Sequence, residues 1–137
     1  MSVPTVRFRV DFSPNDAVGP GKIALLEHIG SSGSLSQAAR ELRMSYRRAW
    51  QLLESLNGCF GEPVVQSSRG GRDGGGAALT PCGRRLIRVY RAFDKQVQSR
   101  AARCFRNLLG RYRRRARRAR ARRGAARSAP ILRLSHR

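Results

Sequence analysis

Apolar and polar positions change period several times along this chain, and each change marks an element. Val6-Arg7-Phe8-Arg9-Val10-Asp11-Phe12 alternates strictly, which is the period of a half-buried strand. Ser13-Pro14-Asn15-Asp16 supplies turn chemistry. From about Gly19 or Pro20 the period becomes helical, with Ile23, Leu25, Leu26 and Ile29 apolar and Gly30 as the expected end. Between Gly33 and Asn57 the helical period occurs twice, with a short break. Leu35, Ala38, Ala39 and Leu42 make one apolar face, and Ala49, Leu52, Leu53 and Leu56 make another. Ser34 with Gln37 three residues on reads as a capping box. Arg43-Met44 reads as the turn, and Ser45 as a cap that accepts from the backbone N–H of Arg47 or Arg48. Gly58 stands where a left-handed cap would stop the second helix. Two short helices joined by a tight turn, after a first helix, form a three-helix unit of helix-turn-helix type.

The second half begins with a strand, Glu62 to Ser67, in which Pro63 is confined to the start. Arg69 to Gly76 holds five glycines in eight residues, and Ala77 to Thr80 returns as the second strand of a hairpin. A long-looped hairpin directly after a recognition helix is a wing. Its glycines let backbone approach a phosphate, and Arg69 and Arg72 supply charge. Thr80-Pro81 opens a long helix, with Thr80 as N-cap and Pro81 at the first helical position. Leu86, Tyr90, Phe93, Val97, Ala101, Cys104 and Leu108 follow at steps of three and four. That seam runs for about seven turns, longer than a small domain needs for its own core. Its first turns are expected to pack on the domain and its later positions to pair with a second copy, through Tyr90, Phe93, Val97, Cys104 and Leu108.

Charge sharpens this picture. The net charge is +21, and it is divided unevenly. Residues 1–110 hold all 8 acidic residues and 17 of the 29 Lys and Arg, a net +9, whereas the last 27 residues hold 12 arginines and no acid. Such a balance points to a polyanionic partner. At 100° per residue, Arg47, Arg48, Gln51 and Ser55 fall opposite the apolar face of the second helix, suited to base edges and phosphates in a major groove. Arg47 and Gln51 are the leading base-reading candidates. Ser36 and Gln37 open the preceding helix, where backbone N–H groups commonly hold a phosphate. Tyr46 is placed with its ring against the domain and its hydroxyl toward a phosphate, and Trp50 at the edge of the buried face as a boundary core residue. Cys82, near a helix N-terminus, is placed where its thiol pKa could be lowered.

In that order of elements, GPGKIALLEHI, GSLSQAARELRMSYRRAWQLLESLN, EPVV, GGRDGGGAALT and GRRLIRVYRAF resemble the N-terminal DNA-binding domain of the ModE family. These are molybdate-responsive regulators whose winged helix is related to that of LysR-type regulators. The resemblance covers residues 5 to about 100, and SYRRAW with the glycine-rich wing is its most specific part. It implies a dimeric bacterial transcription regulator on a palindromic operator. By position, Ser45, Tyr46 and Arg47 match the start of the family's recognition helix, and Arg69 to Gly76 its wing. Full-length members carry β-rich molybdate-binding domains with a SARNQ-type motif. Here the sequence runs into arginines instead, so molybdate binding is not expected of this chain.

The expected fold is mainly α with a small β-sheet: a winged helix-turn-helix over residues 5–82, a long dimerisation helix over 83–110, and a disordered Arg-rich tail over 111–137. The expected function is sequence-specific DNA binding in transcription regulation, as a dimer on double-stranded DNA. A non-specific architectural or RNA-binding protein dominated by the tail is the alternative, and an adaptor using the long helix is a third. No enzyme is expected, because no nucleophile–base–acid set exists and the glycine-rich loop lacks the lysine and strand-to-helix setting of a phosphate-cleaving site. No cofactor or metal is expected either: Cys59, Cys82 and Cys104 lie 23 and 22 residues apart, with no histidine at ligand spacing. The odd count suits reduced thiols, and neither a signal pattern nor a run of 18 apolar residues occurs. The chain reads as cytoplasmic, at the nucleoid, without membrane contact.

Overall fold

The computed structural model describes residues 4–68 and 76–127. Two compact units divide the chain, one of Thr5–Val97 and one of the remaining residues. The expected class is present: helices dominate, with two small antiparallel hairpins.

The alternating segment forms less strand than its period suggests. β1 (Val10–Ser13) pairs with β2 (Asp16–Val18), Val10 facing Val18. The three residues of β2 offer no partner beyond Val10, so residues 4–9 stay outside any ladder. The turn is as expected: the Ser13 hydroxyl donates to Asp16 at 2.8 Å and accepts from the Asn15 backbone N–H at 3.3 Å. Phe8 contributes differently, with its ring stacked 4.9 Å from Tyr90 and edge-on 5.2 Å from Phe93.

Helix α1 (Pro20–Ser32) buries Ile23, Leu25, Leu26 and Ile29 completely. Each such burial contributes about 1.5–3 kcal/mol. Gly30 does not end this helix. It lies within it, and a β-carbon there would meet Leu79 Cδ1 at 2.7 Å, so its role is to let the wing approach. The stop is Gly33, at φ 70°, whose N–H returns to the Ile29 carbonyl.

Helices α2 (Leu35–Glu41) and α3 (Tyr46–Cys59) are the predicted pair. Ser34 caps α2 by accepting from the Gln37 N–H at 3.2 Å, but only half of the capping box forms. The Gln37 side chain turns instead to Glu41 and Arg40. In the turn Arg43 is left-handed at φ 55°, and the Met44 N–H reaches the Ala39 carbonyl. Ser45 accepts from the Arg48 N–H at 3.1 Å. Helix α3 runs through Gly58, and the chain turns at Gly61, at φ 69°.

β3 (Val65–Ser68) and β4 (Gly76–Leu79) form the base of the wing, paired from Val65–Leu79 to Ser68–Gly76. Asn57 ties α3 to it, its side-chain oxygen accepting from the N–H groups of Val64 and Val65. α4 (Pro81–Cys104) starts at Thr80 as expected, the Thr80 hydroxyl accepting from the Gly83 N–H. α5 (Arg106–Arg127) follows after Phe105, with α-helical bonds continuing from Phe105 to Ala101 and from Leu109 to Phe105. Residues 111–127 of the tail, expected to be disordered, are therefore helical here. Alanine and arginine are both strong helix formers, and that local preference prevails over repulsion along the helix. Residues 128–137 lie outside the described residues.

Candidate nucleic-acid interface

The orientation of α3 decides which side chains can meet a ligand. Ala49 and Leu56, fully buried, point at the α1 core. Seven residues at 100° return to within about 20° of the start, so this pair fixes the buried direction. Arg47, Arg48 and Gln51 are exposed, as the sequence indicates. Ser55 is not on that front: it is half-buried and accepts from Lys22 Nζ at 2.9 Å, while Lys22 also donates to the Ala17 carbonyl. Glu54 takes its place on the exposed side.

Trp50, expected as a boundary core residue, is 48% exposed, and Tyr46 one turn earlier is 57% exposed. Both line a groove of about 310 Å³ between α3 and the wing, with Leu53, Asn57, Gln66 and Ser67 on its other walls. The buried direction set by Ala49 and Leu56 carries Trp50 out of the core. Leu52 and Leu53, expected on the same apolar face, are only half-buried.

Of the other candidates, Ser45 is engaged as the cap of α3. Ser36 and Gln37 are half-buried at the start of α2, with Ser36 Oγ 3.4 Å from Ser34 Oγ. Arg69 and Arg72 lie outside the described residues. Cys82 is corrected: burial, reinforced by Glu62, pushes its thiol pKa up rather than down. Among the dimerisation candidates, Tyr90 is buried in the core of its own unit and its hydroxyl donates to the Phe8 carbonyl, so it is a packing residue. Phe93 and Val89 are exposed on α4, Val97 is half-buried, and Cys104, Leu108 and Tyr112 are exposed.

Two polar links hold the helices behind this face. His28 Nδ1 lies 2.5 Å from a Glu41 carboxylate oxygen, and that hydrogen bond, seconded by Gln37, lowers the Glu41 pKa. Arg91 on α4 grips both carboxylate oxygens of Glu27 on α1. Among the described residues no group of three His, Cys, Asp or Glu could hold a metal ion, and no helix is long and apolar enough to cross a membrane.

Residues 21–84 match the family described as bacterial regulatory helix-turn-helix protein, lysR family. The three-helix unit with its wing therefore resembles the helix-turn-helix domain of that class of bacterial regulators. The chain is 45% identical over 80 residues to the molybdenum-pterin-binding protein MopB of Rhodobacter capsulatus, covering 58% of this chain and 30% of that protein. It is 39% identical over 93 residues to the molybdenum transport protein ModE of Azotobacter vinelandii, covering 68% and 34%. Against the dual regulator ModE of Escherichia coli K12 it is 42% identical over 82 residues, covering 60% and 31%. More narrowly, then, the chain carries a ModE-like N-terminal DNA-binding domain. It spans about a third of the length of the relatives it matches.

Proposed function

We propose that the chain acts as a sequence-specific transcription regulator that binds a palindromic operator as a homodimer, in the cytoplasm at the nucleoid. The observation that carries this reading is the exposed face of α3, where Arg47 and Gln51 stand opposite the buried Ala49 and Leu56 and Arg48 is exposed on their flank. Arg47, in the first turn, reads bases; a guanidinium grips guanine O6 and N7 together. Arg48 and Gln51 read or flank neighbouring bases, Tyr46 borders the wing, and Ser36, Gln37, Arg69 and Arg72 hold the phosphate backbone. Support for two-fold pairing comes from exposed apolar residues on each helix: Val89 and Phe93, four residues apart on α4, and Leu108 and Tyr112, four apart on α5. Val97 and Cys104 on α4 are assigned to the same pairing surface. The arginines of residues 111–137 add unspecific affinity.

Selection of bound fragments from a random duplex pool tests this directly, with the selected site then measured against random DNA at one salt concentration. Arg47→Ala should cost about 1–3 kcal/mol on the selected site and far less on random DNA. Arg69→Ala should weaken both alike. If the ratio of specific to random affinity is the same in the two variants, Arg47 holds phosphate only.

A further inference from the structure

Glu54 is the one acidic side chain of α3, and it is exposed. Seven residues after Arg47, it projects within about 20° of the same line of the helix. The other described carboxylates all meet a partner: Asp11 meets Arg9, Asp16 meets Ser13, Glu27 and Asp94 meet Arg91, Glu41 meets His28, and Glu62 meets Cys82. No such partner falls to Glu54 among the described residues. In a chain of net charge +21, this carboxylate shares the exposed line of α3 with Arg47.

The bases themselves suggest its use. In the major groove guanine offers acceptors, thymine an acceptor and a methyl group, and adenine an amine beside an N7 acceptor; cytosine alone offers an amine without an adjoining acceptor on the same base. A carboxylate, which only accepts, fits cytosine, meets the N7 acceptor beside the amine of adenine, and finds no donor on guanine or thymine. Seven residues advance the helix by about 10 Å, close to three base pairs at roughly 3.4 Å each.

We propose that Glu54 is a specificity-determining residue that accepts a hydrogen bond from cytosine N4, about three base pairs from the base gripped by Arg47. The proposal rests on the DNA-binding reading above. It deepens that reading by giving α3 an acidic reader whose charge also penalises sites that lack the amine.

The test uses the full chain and its Glu54→Ala and Glu54→Gln variants in selection from a random duplex pool. Affinities for the selected site, its single-base changes and random DNA follow at one salt concentration. The wild type should require cytosine at one position of each half-site, losing roughly tenfold when it is replaced by thymine. The alanine variant should lose that preference alone, keep the preferences at other positions, and bind random DNA at least as tightly as the wild type. The glutamine variant, neutral but similar in shape, should shift the position toward adenine, which an amide meets with donor and acceptor together. If both variants keep the wild-type motif, or strengthen selected and random DNA equally, Glu54 is not a reader and the DNA-binding reading stands without it. If the wild type enriches no sequence at all, the sequence-specific reading itself falls and takes this proposal with it.

Discussion

Thr80 joins three parts of the Thr5–Val97 unit through one hydroxyl, and its removal makes a demanding test of the fold. It is 7% exposed, donates to the Pro63 carbonyl at 2.7 Å and accepts from the Gly83 N–H at 3.1 Å. Thr80→Val keeps the volume and deletes both bonds. Loss of an N-cap costs about 1 kcal/mol, and a buried donor left without a partner costs about 1–3 kcal/mol. The two costs overlap at the Gly83 N–H, so the expected total is about 2–3 kcal/mol rather than their sum. At about 4–8 °C per kcal/mol for a domain of this size, the midpoint should fall by roughly 10–20 °C. Thr80→Ser keeps the hydroxyl and removes one methyl group, so about 1 kcal/mol or less is expected. Trp50, the single tryptophan, lies in this unit, and its fluorescence follows unfolding by heat or urea without the signal of the α5 helix. A valine variant within about 0.5 kcal/mol of the wild type, or a serine variant as damaged as the valine one, would refute the reasoning.

Three further outcomes are expected. Glu at both Val97 and Cys104 should place charges in the seam and yield monomers by sedimentation; a wild type already monomeric at micromolar concentration would remove the basis for a two-fold. Deleting residues 111–137 removes 12 arginines and should flatten the slope of log affinity against log salt while preference for the selected site survives; loss of preference with an unchanged slope would make the tail the reader. Because the His28 hydrogen bond lowers the Glu41 pKa, its contribution to stability is present above the ordinary carboxylate pKa and is lost as pH falls through the lowered folded value. His28→Ala should therefore raise the Glu41 titration midpoint seen by NMR toward the ordinary value, and an unmoved midpoint would show that the link does not act on Glu41.

Much of the interface was legible because its determinants are local. Ser34, Ser45 and Thr80 cap helices through bonds to residues three positions on, and that spacing is visible in any sequence. Arg47, Arg48 and Gln51 follow from helical period alone, since a face opposite Ala49 and Leu56 must meet solvent. Where the sequence misled, long-range packing intervened. Ser55 left the polar front because Lys22, 33 residues away, draws it inward, and Trp50 lines the groove beside the wing instead of the core edge. Tyr90 left the dimer seam for the core because Phe8, 82 residues earlier, stacks on it.

The sequence by itself determined the order of elements, the N-caps at Ser34, Ser45 and Thr80, the charge of the tail and the cationic front of α3, since each depends on neighbours within a turn or two. The tertiary structure alone decided the inward turn of Ser55 toward Lys22, the groove between α3 and the wing, and the burial of Tyr90 against Phe8. It also decided which glycines serve as stops, at 33 and 61, and which, like Gly30, leave room for a distant side chain. Those outcomes depend on contacts between residues tens of positions apart, and a linear pattern carries period without carrying the azimuth at which two helices come to rest.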